Sequence, residues 1–146
     1  MQTKNKIIFD KIEVFLNNVN FTRINHIQGK YEISSNDIIK VNDVDENGFN
    51  LLATRNLFFL PKGLFKISVK FDIVCKFSPV SRRHFAGDLK EIGKFIKKRK
   101  IEIFEDLGVG KKMSIIISQL TSINNNNPIV LPPNFLQNIT ETKKGI

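Results

Sequence analysis

The clearest hydrophobic pattern in the chain runs from Phe49 to Phe77. Odd positions from Phe49 to Phe59 read Phe, Leu, Ala, Arg, Leu, Phe, with Arg55 the single interruption. Pro61-Lys62-Gly63 follows as a tight turn. From Phe65 to Phe77 every odd position is apolar, and the even positions are polar except Val74. Period two of this length puts one face on a core and the other in water, as in an antiparallel sheet. A long hairpin is predicted. Asp45-Glu46-Asn47-Gly48 precedes it with the chemistry of a turn, since Asn-Gly accepts positive φ.

Upstream the pattern is mixed. Residues 5–17 carry Ile8, Ile12, Phe15 and Leu16 at helical spacing and predict a short amphipathic helix, although Ile12, Val14 and Leu16 also alternate. Val19 to Ile27 reads as a strand ended by Gly29. A further extended piece falls either at Tyr31–Ile33 or at Ile38–Val44. Downstream of Ser78-Pro79 the period changes. Asp88 to Lys100 places Leu89, Ile92, Phe95 and Ile96 on one helical stripe, and Lys111 to Ser122 places Met113, Ile116, Ile117 and Leu120 on another. Residues 108–112 read as a flexible lead-in to the second helix, and Asn124–Asn127 close it. Pro128 to Phe135 is an extended, proline-stiffened segment, and Thr140–Ile146 a frayed tail.

Composition narrows the class. The 146 residues fit a single domain, and 41% hydrophobic with 25% charged residues is the ordinary globular mix. One cysteine excludes an internal disulfide framework, and two distant histidines give no metal-ligand spacing. No apolar run is long enough to span a bilayer, so a cytoplasmic protein without membrane insertion is expected. The net charge is +9, from 23 Lys+Arg against 14 Asp+Glu. Nucleic acid or an acidic surface would suit it, but the abundance of lysine, isoleucine and asparagine equally fits A+T-rich coding.

Six of the nine surplus charges lie in Ser81–Lys100, where Arg82, Arg83, Lys94, Lys97 and Lys98 form a basic patch. It reads either as a solvated helix face or as a surface for phosphates, an acidic partner or an acidic client. Cys75 falls on the inward face of the hairpin and reads as packing. His26 has no evident partner, His84 beside Arg82 and Arg83 reads as a loop residue and not a base, and Gly108-Val-Gly-Lys-Lys112 lacks the full spacing of a phosphate loop. No catalytic residue, metal or cofactor is assigned, and an enzyme is not expected. Phe58, Leu60 and Leu64 fall on the even face near the hairpin tip, where water is expected, and so mark a contact surface.

The C-terminal third carries a resemblance. The helix ending Ile115-Ile-Ile-Ser-Gln-Leu-Thr-Ser-Ile123, a small polar turn, and Pro128-Ile-Val-Leu131-Pro132-Pro133-Asn134-Phe135 resemble the SecB family of protein-export chaperones. That family closes its main helix with an Ile/Leu-Ser-x-Leu run and ends on Pro-x-Asn-Phe. Here asparagines replace its glycine turn, the aromatic before Pro128 is missing, and Pro133-Asn134 lacks the spacer. The hairpin would correspond to the family's third and fourth strands, and Val19-Asn-Phe21 to the end of its first.

The resemblance implies an α+β domain over residues 1–146, with a four-stranded antiparallel sheet and helices packed on one face. It implies a homotetramer, a dimer of dimers, acting as an ATP-independent holdase for unfolded, export-bound polypeptides. Phe58, Leu60 and Leu64 would then be client contacts. Docking to the motor SecA through an acidic sheet face is not expected, because Lys66, Lys70 and Lys76 occupy that face. The alternatives are a dedicated SecB-like chaperone of a toxin–antitoxin pair and a basic nucleic-acid-binding module.

Overall fold

The computed structural model describes residues 6–25, 29–124, 127–137 and 139–144. Four long strands come first: β1 (Phe9–Arg23), β2 (Lys30–Asp45), β3 (Gly48–Leu60) and β4 (Phe65–Phe77). Three helices follow: α1 (Pro79–Phe85), α2 (Leu89–Asp106) and α3 (Val109–Asn124). A short β5 (Ile139–Lys144) closes the chain. The sheet is antiparallel throughout, in the order β1-β4-β3-β2-β5. This is the expected α+β class, with a fifth short strand at one edge.

The predicted hairpin is present in its expected register. Phe49 faces Cys75, Leu51 faces Ile73 and Leu57 faces Ile67. Odd residues of β3 and β4 are buried, and even ones after Gly48 are half-buried or exposed. The Asp45 carboxylate accepts the Asn47 and Gly48 amide hydrogens at 2.7 and 3.0 Å, fixing the β2–β3 turn. A Cβ on Gly48 would collide with the Cys75 carbonyl, so only glycine lets β3 start there.

Four expectations change. Residues 9–23 form a strand, not the helix read over 5–17. Register shifts between Phe9 and Lys11 and between Leu16 and Asn18 each insert a residue. The core-side set thus becomes Phe9, Ile12, Val14, Leu16, Val19 and Phe21, whose uneven spacing imitates a helix. Secondly, Tyr31–Ile33 and Ile38–Val44 belong to one strand, β2. Thirdly, residues 140–144 of the expected tail, with Ile139 before them, pair with Lys30–Ser35 and satisfy part of the β2 edge. Fourthly, the region after Ser78 opens with α1. Ser78 caps it by accepting the Ser81 amide hydrogen, and Pro79 suits the first turn. Residues 26–28, including His26, lie outside the described residues.

The phenylalanines sort into clusters at the two ends of the core. Phe9, Phe49, Phe77, Phe85 and Phe95 meet at one end, with ring centroids 5.0–6.4 Å apart. Phe21, Phe59 and Phe65 meet with Tyr31 at the other. Burial of these rings is a main source of the stability of the fold.

Arg55, the one break in the alternation, is fully buried and organises the middle of the core. Its Nε and Nη2 donate to the Asp37 carboxylate at 2.7 Å each. Nη1 donates to the Gly110 carbonyl, the Ser114 hydroxyl and the Pro132 carbonyl, and Nη2 donates to the Asn134 carbonyl. Asp37 in turn accepts the Leu136 amide hydrogen at 2.8 Å. A Cβ on Gly110 would strike the Pro133 carbonyl, so a glycine there lets α3 approach this segment.

Candidate functional site

Residues 128–136 are docked on the body of the domain through their backbone. Leu131 is buried alongside Ile129 and Leu136, and Phe135 packs edge-on against Phe104 at 5.7 Å. The Ile129 amide donates to the Thr121 hydroxyl and the Phe135 amide to Glu105. The side chains of Pro128, Pro132, Pro133 and Asn134 remain exposed. The prolines stiffen the segment while the Pro132 and Asn134 carbonyls satisfy Arg55. This motif is structural.

The three apolar residues at the hairpin tip do not form one surface. Phe58 and Leu60 share the face of the sheet away from the helices, where Phe58 is half-buried and Leu60 is 44% exposed. Leu64 departs from the expectation: it has φ 60°, and its side chain packs against the core. Its carbonyl accepts the Ile24 amide hydrogen at 2.8 Å, where the β1–β2 connection passes the tip. Residues outside regular pairing do not continue a strand's alternation, and for this reason period two misplaced Leu64.

A larger exposed apolar surface lies on β1. Ile12, Leu16 and Val19 pair with Cys75, Phe71 and Val69, and therefore lie on the helix side of the sheet. Yet they are 40%, 54% and 37% exposed, because the helices pack over β2, β3 and β4 and meet β1 at its start, where Phe9 contacts Phe95. Phe15, opposite Asp72 on the other face, is exposed as well. As the terminal strand of the sheet, β1 also presents an open row of backbone donors and acceptors. The sequence pattern hides this surface because Ile12, Phe15 and Leu16 fall at helical spacing, and only Val19 reads as strand.

The basic residues divide. Arg82 and Arg83 stand on α1, and Arg82 donates to the Asn47 side chain at 3.3 Å. Lys94, Lys97 and Lys98 stand exposed on α2. Lys94 and Lys98 help line a groove of about 720 Å³ between α2, the end of α1 and the start of β1. Phe9, Phe85 and Phe95 form its apolar floor. His84 is at this groove too, and no group of three or more metal-ligating side chains occurs among the described residues.

Cys75 is fully buried, and desolvation raises its thiol pKa to about 11, which leaves it without nucleophilic character near neutrality. The residues suggestive of a phosphate loop are otherwise engaged. Gly108, at φ 67°, links α2 to α3, and Val109–Lys112 form the first turn of α3 against Arg55 and Pro133.

Comparison with protein families, with curated proteins and with solved structures finds no match for this chain.

Proposed function

We propose that the protein is a SecB-like holdase, which keeps unfolded polypeptides from aggregating without ATP and works as a homo-oligomer in the cytoplasm. The observation that carries this reading is the apolar surface left open after the core is complete. The core is filled by residues of the sheet and helices, yet β1 exposes Ile12, Phe15, Leu16 and Val19, and Leu60 stands exposed beside Phe58 on the outer face. Exposed apolar clusters of this kind mark contact surfaces.

The two surfaces suit two partners. Antiparallel pairing of β1 with a second copy would bring residues of the same face opposite each other, so the Ile12–Leu16 strip would meet its equivalent while the open backbone groups pair. The exposed Ile115 of α3 provides a second apolar contact for assembly. The outer face, with Phe58 and Leu60, is then left for clients, whose side chains it can hold without reading a sequence.

The same face carries Lys66, Lys70 and Lys76, so a motor that docks through an acidic sheet face is not part of the proposal. Unfolded polypeptides in general are the proposed clients, and a single dedicated client is the narrower form of the same reading. No helix among the described residues is long and apolar enough to cross a membrane. Native mass measurement with and without an unfolded client tests the proposal. An oligomer that gains the mass of the client is expected, and a chain of 16.8 kDa that gains none would contradict it.

A further inference from the structure

The groove along α2 is separate from the outer face of the sheet, and its length and lining charges bear on what could occupy it. Its α2 wall runs from Glu91 to Asp106. At 1.5 Å per helical residue that is roughly 22 Å, the reach of six or seven residues of extended chain. A length of this order suits a polymer better than a compact metabolite. The floor offers Phe9, Phe85 and Phe95, with Ile103 towards the far end. Phe9 and Phe95 are only partly buried, so apolar side chains laid on them would lose water from both partners.

The charges are arranged unevenly. Lys94, Lys98 and Arg99 line one stretch of α2, while Glu102 and Asp106 line the next. Lys94 is paired with Glu91 at 3.2 Å and Arg99 with Glu102 at 2.6 Å, both on the surface. Exposed pairs of this kind are weak, and their long side chains can turn to a competing carboxylate beside an apolar floor. Among the described residues Lys98 has no ion-pair partner. A single carboxylate beside an apolar side chain therefore finds cations in reach. A nucleic acid strand does not fit equally well, because its successive phosphates would meet Glu91, Glu102 and Asp106 in the same groove.

We propose that this groove binds an extended peptide segment that places aromatic or aliphatic side chains on the phenylalanine floor and a carboxylate against Lys98. The proposal deepens the holdase reading by naming an acidic-flanked segment as the part of a client held here. It stands on the groove between α2, the end of α1 and the start of β1, separately from Phe58 and Leu60.

The test uses the full chain and two fluorescently labelled peptides of roughly seven residues, matched to the groove length. Both carry the same two phenylalanines, one with a flanking glutamate and the other with lysine in its place. The glutamate peptide should bind the more tightly, by roughly two- to fivefold, the range of an exposed ion pair. Lys98→Glu should abolish or invert that preference, and the difference should shrink as salt is raised. Lys98 is exposed, so the variant keeps the fold, which circular dichroism checks. Equal affinity for the two peptides, a preference unchanged in Lys98→Glu, or displacement of the peptide by an oligonucleotide would each overturn the proposal. A Phe58→Ser variant that loses aggregation suppression but keeps the peptide preference would show the two sites to be separate. Failure of the peptides to bind a chain that still suppresses aggregation would reject the groove and leave the holdase reading standing.

Discussion

Arg55 and Asp37 face each other across β3 and β2 in a bidentate pair, with neither side chain exposed to solvent. The pair takes up core volume that a leucine would fill, yet it does what a leucine cannot. It holds the carbonyls of Gly110, Pro132 and Asn134 and the amide of Leu136, and so joins two strands, the start of α3 and the C-terminal segment. Two buried charges are tolerable because nearly every donor and acceptor between them is met.

Removing one partner should therefore be costly. Arg55→Ala or Asp37→Ala is expected to destabilise the fold by about 3–5 kcal/mol, since each leaves an uncompensated buried charge. The double replacement should cost less than the sum of the two, because no lone charge remains. Urea unfolding of the three variants measures this coupling. Additive losses would show that the pair is not the centre of the network.

The C-terminal segment should behave as part of the domain. Deleting residues 127–146 removes the buried Ile129, Leu131 and Leu136 together with the Pro132 and Asn134 carbonyls, and so orphans Arg55 donors. The melting temperature should fall, and Leu136→Ala alone should cost about 2–5 kcal/mol. Unchanged melting in the truncated chain would contradict the docking described here.

Much of this fold is legible in the sequence, and the parts that were not have identifiable causes. Phe65–Phe77 declares itself because a strand paired on both sides, with helices over one face, alternates strictly. The strand β1 does not, since two register shifts break its alternation into apparently helical spacing. Arg55 is visible as an interruption, but its partner Asp37 sits eighteen residues away on a strand whose extent the pattern did not define. The candidate surfaces were legible only in part. Phe58 and Leu60 follow from alternation, whereas the β1 strip and the α2 groove depend on where the helices stop.

Cys75 gives a prediction with a definite sign. Burial raises its folded-state pKa to about 11, above the value of 9.0 for an unperturbed thiol. Below pH 9 both states hold the proton and nothing changes. Between about 9 and 11 the unfolded thiol loses its proton while the folded one keeps it, so the unfolded state gains and stability falls with rising pH. The loss attributable to this group amounts to roughly 2–3 kcal/mol when complete. Comparing wild type with Cys75→Ala over pH 8–11 isolates it: the wild type should lose the greater stability. A thiol reagent at pH 8 should react only after denaturant is added, and immediate reaction would place Cys75 at the surface.

Self-association should depend on β1. Leu16→Glu puts a charge on the exposed helix-side strip without touching a buried residue. Sedimentation equilibrium at micromolar concentration should find an oligomer for wild type and a smaller species for the variant. A wild-type monomer of 16.8 kDa would remove assembly from the account.

Suppression of aggregation tests the central claim most directly. Light scattering of an unfolding client, followed without ATP at low and moderate salt, should fall when the protein is added in molar excess. Phe58→Ser and Leu60→Ser should each weaken client holding by roughly 1–3 kcal/mol if the side chain is desolvated in the complex. Replacing Lys97, an exposed basic residue outside the α2 groove, by glutamine should matter little at moderate salt. No suppression by the wild type, or suppression that vanishes with salt and ignores Phe58 and Leu60, would contradict the account.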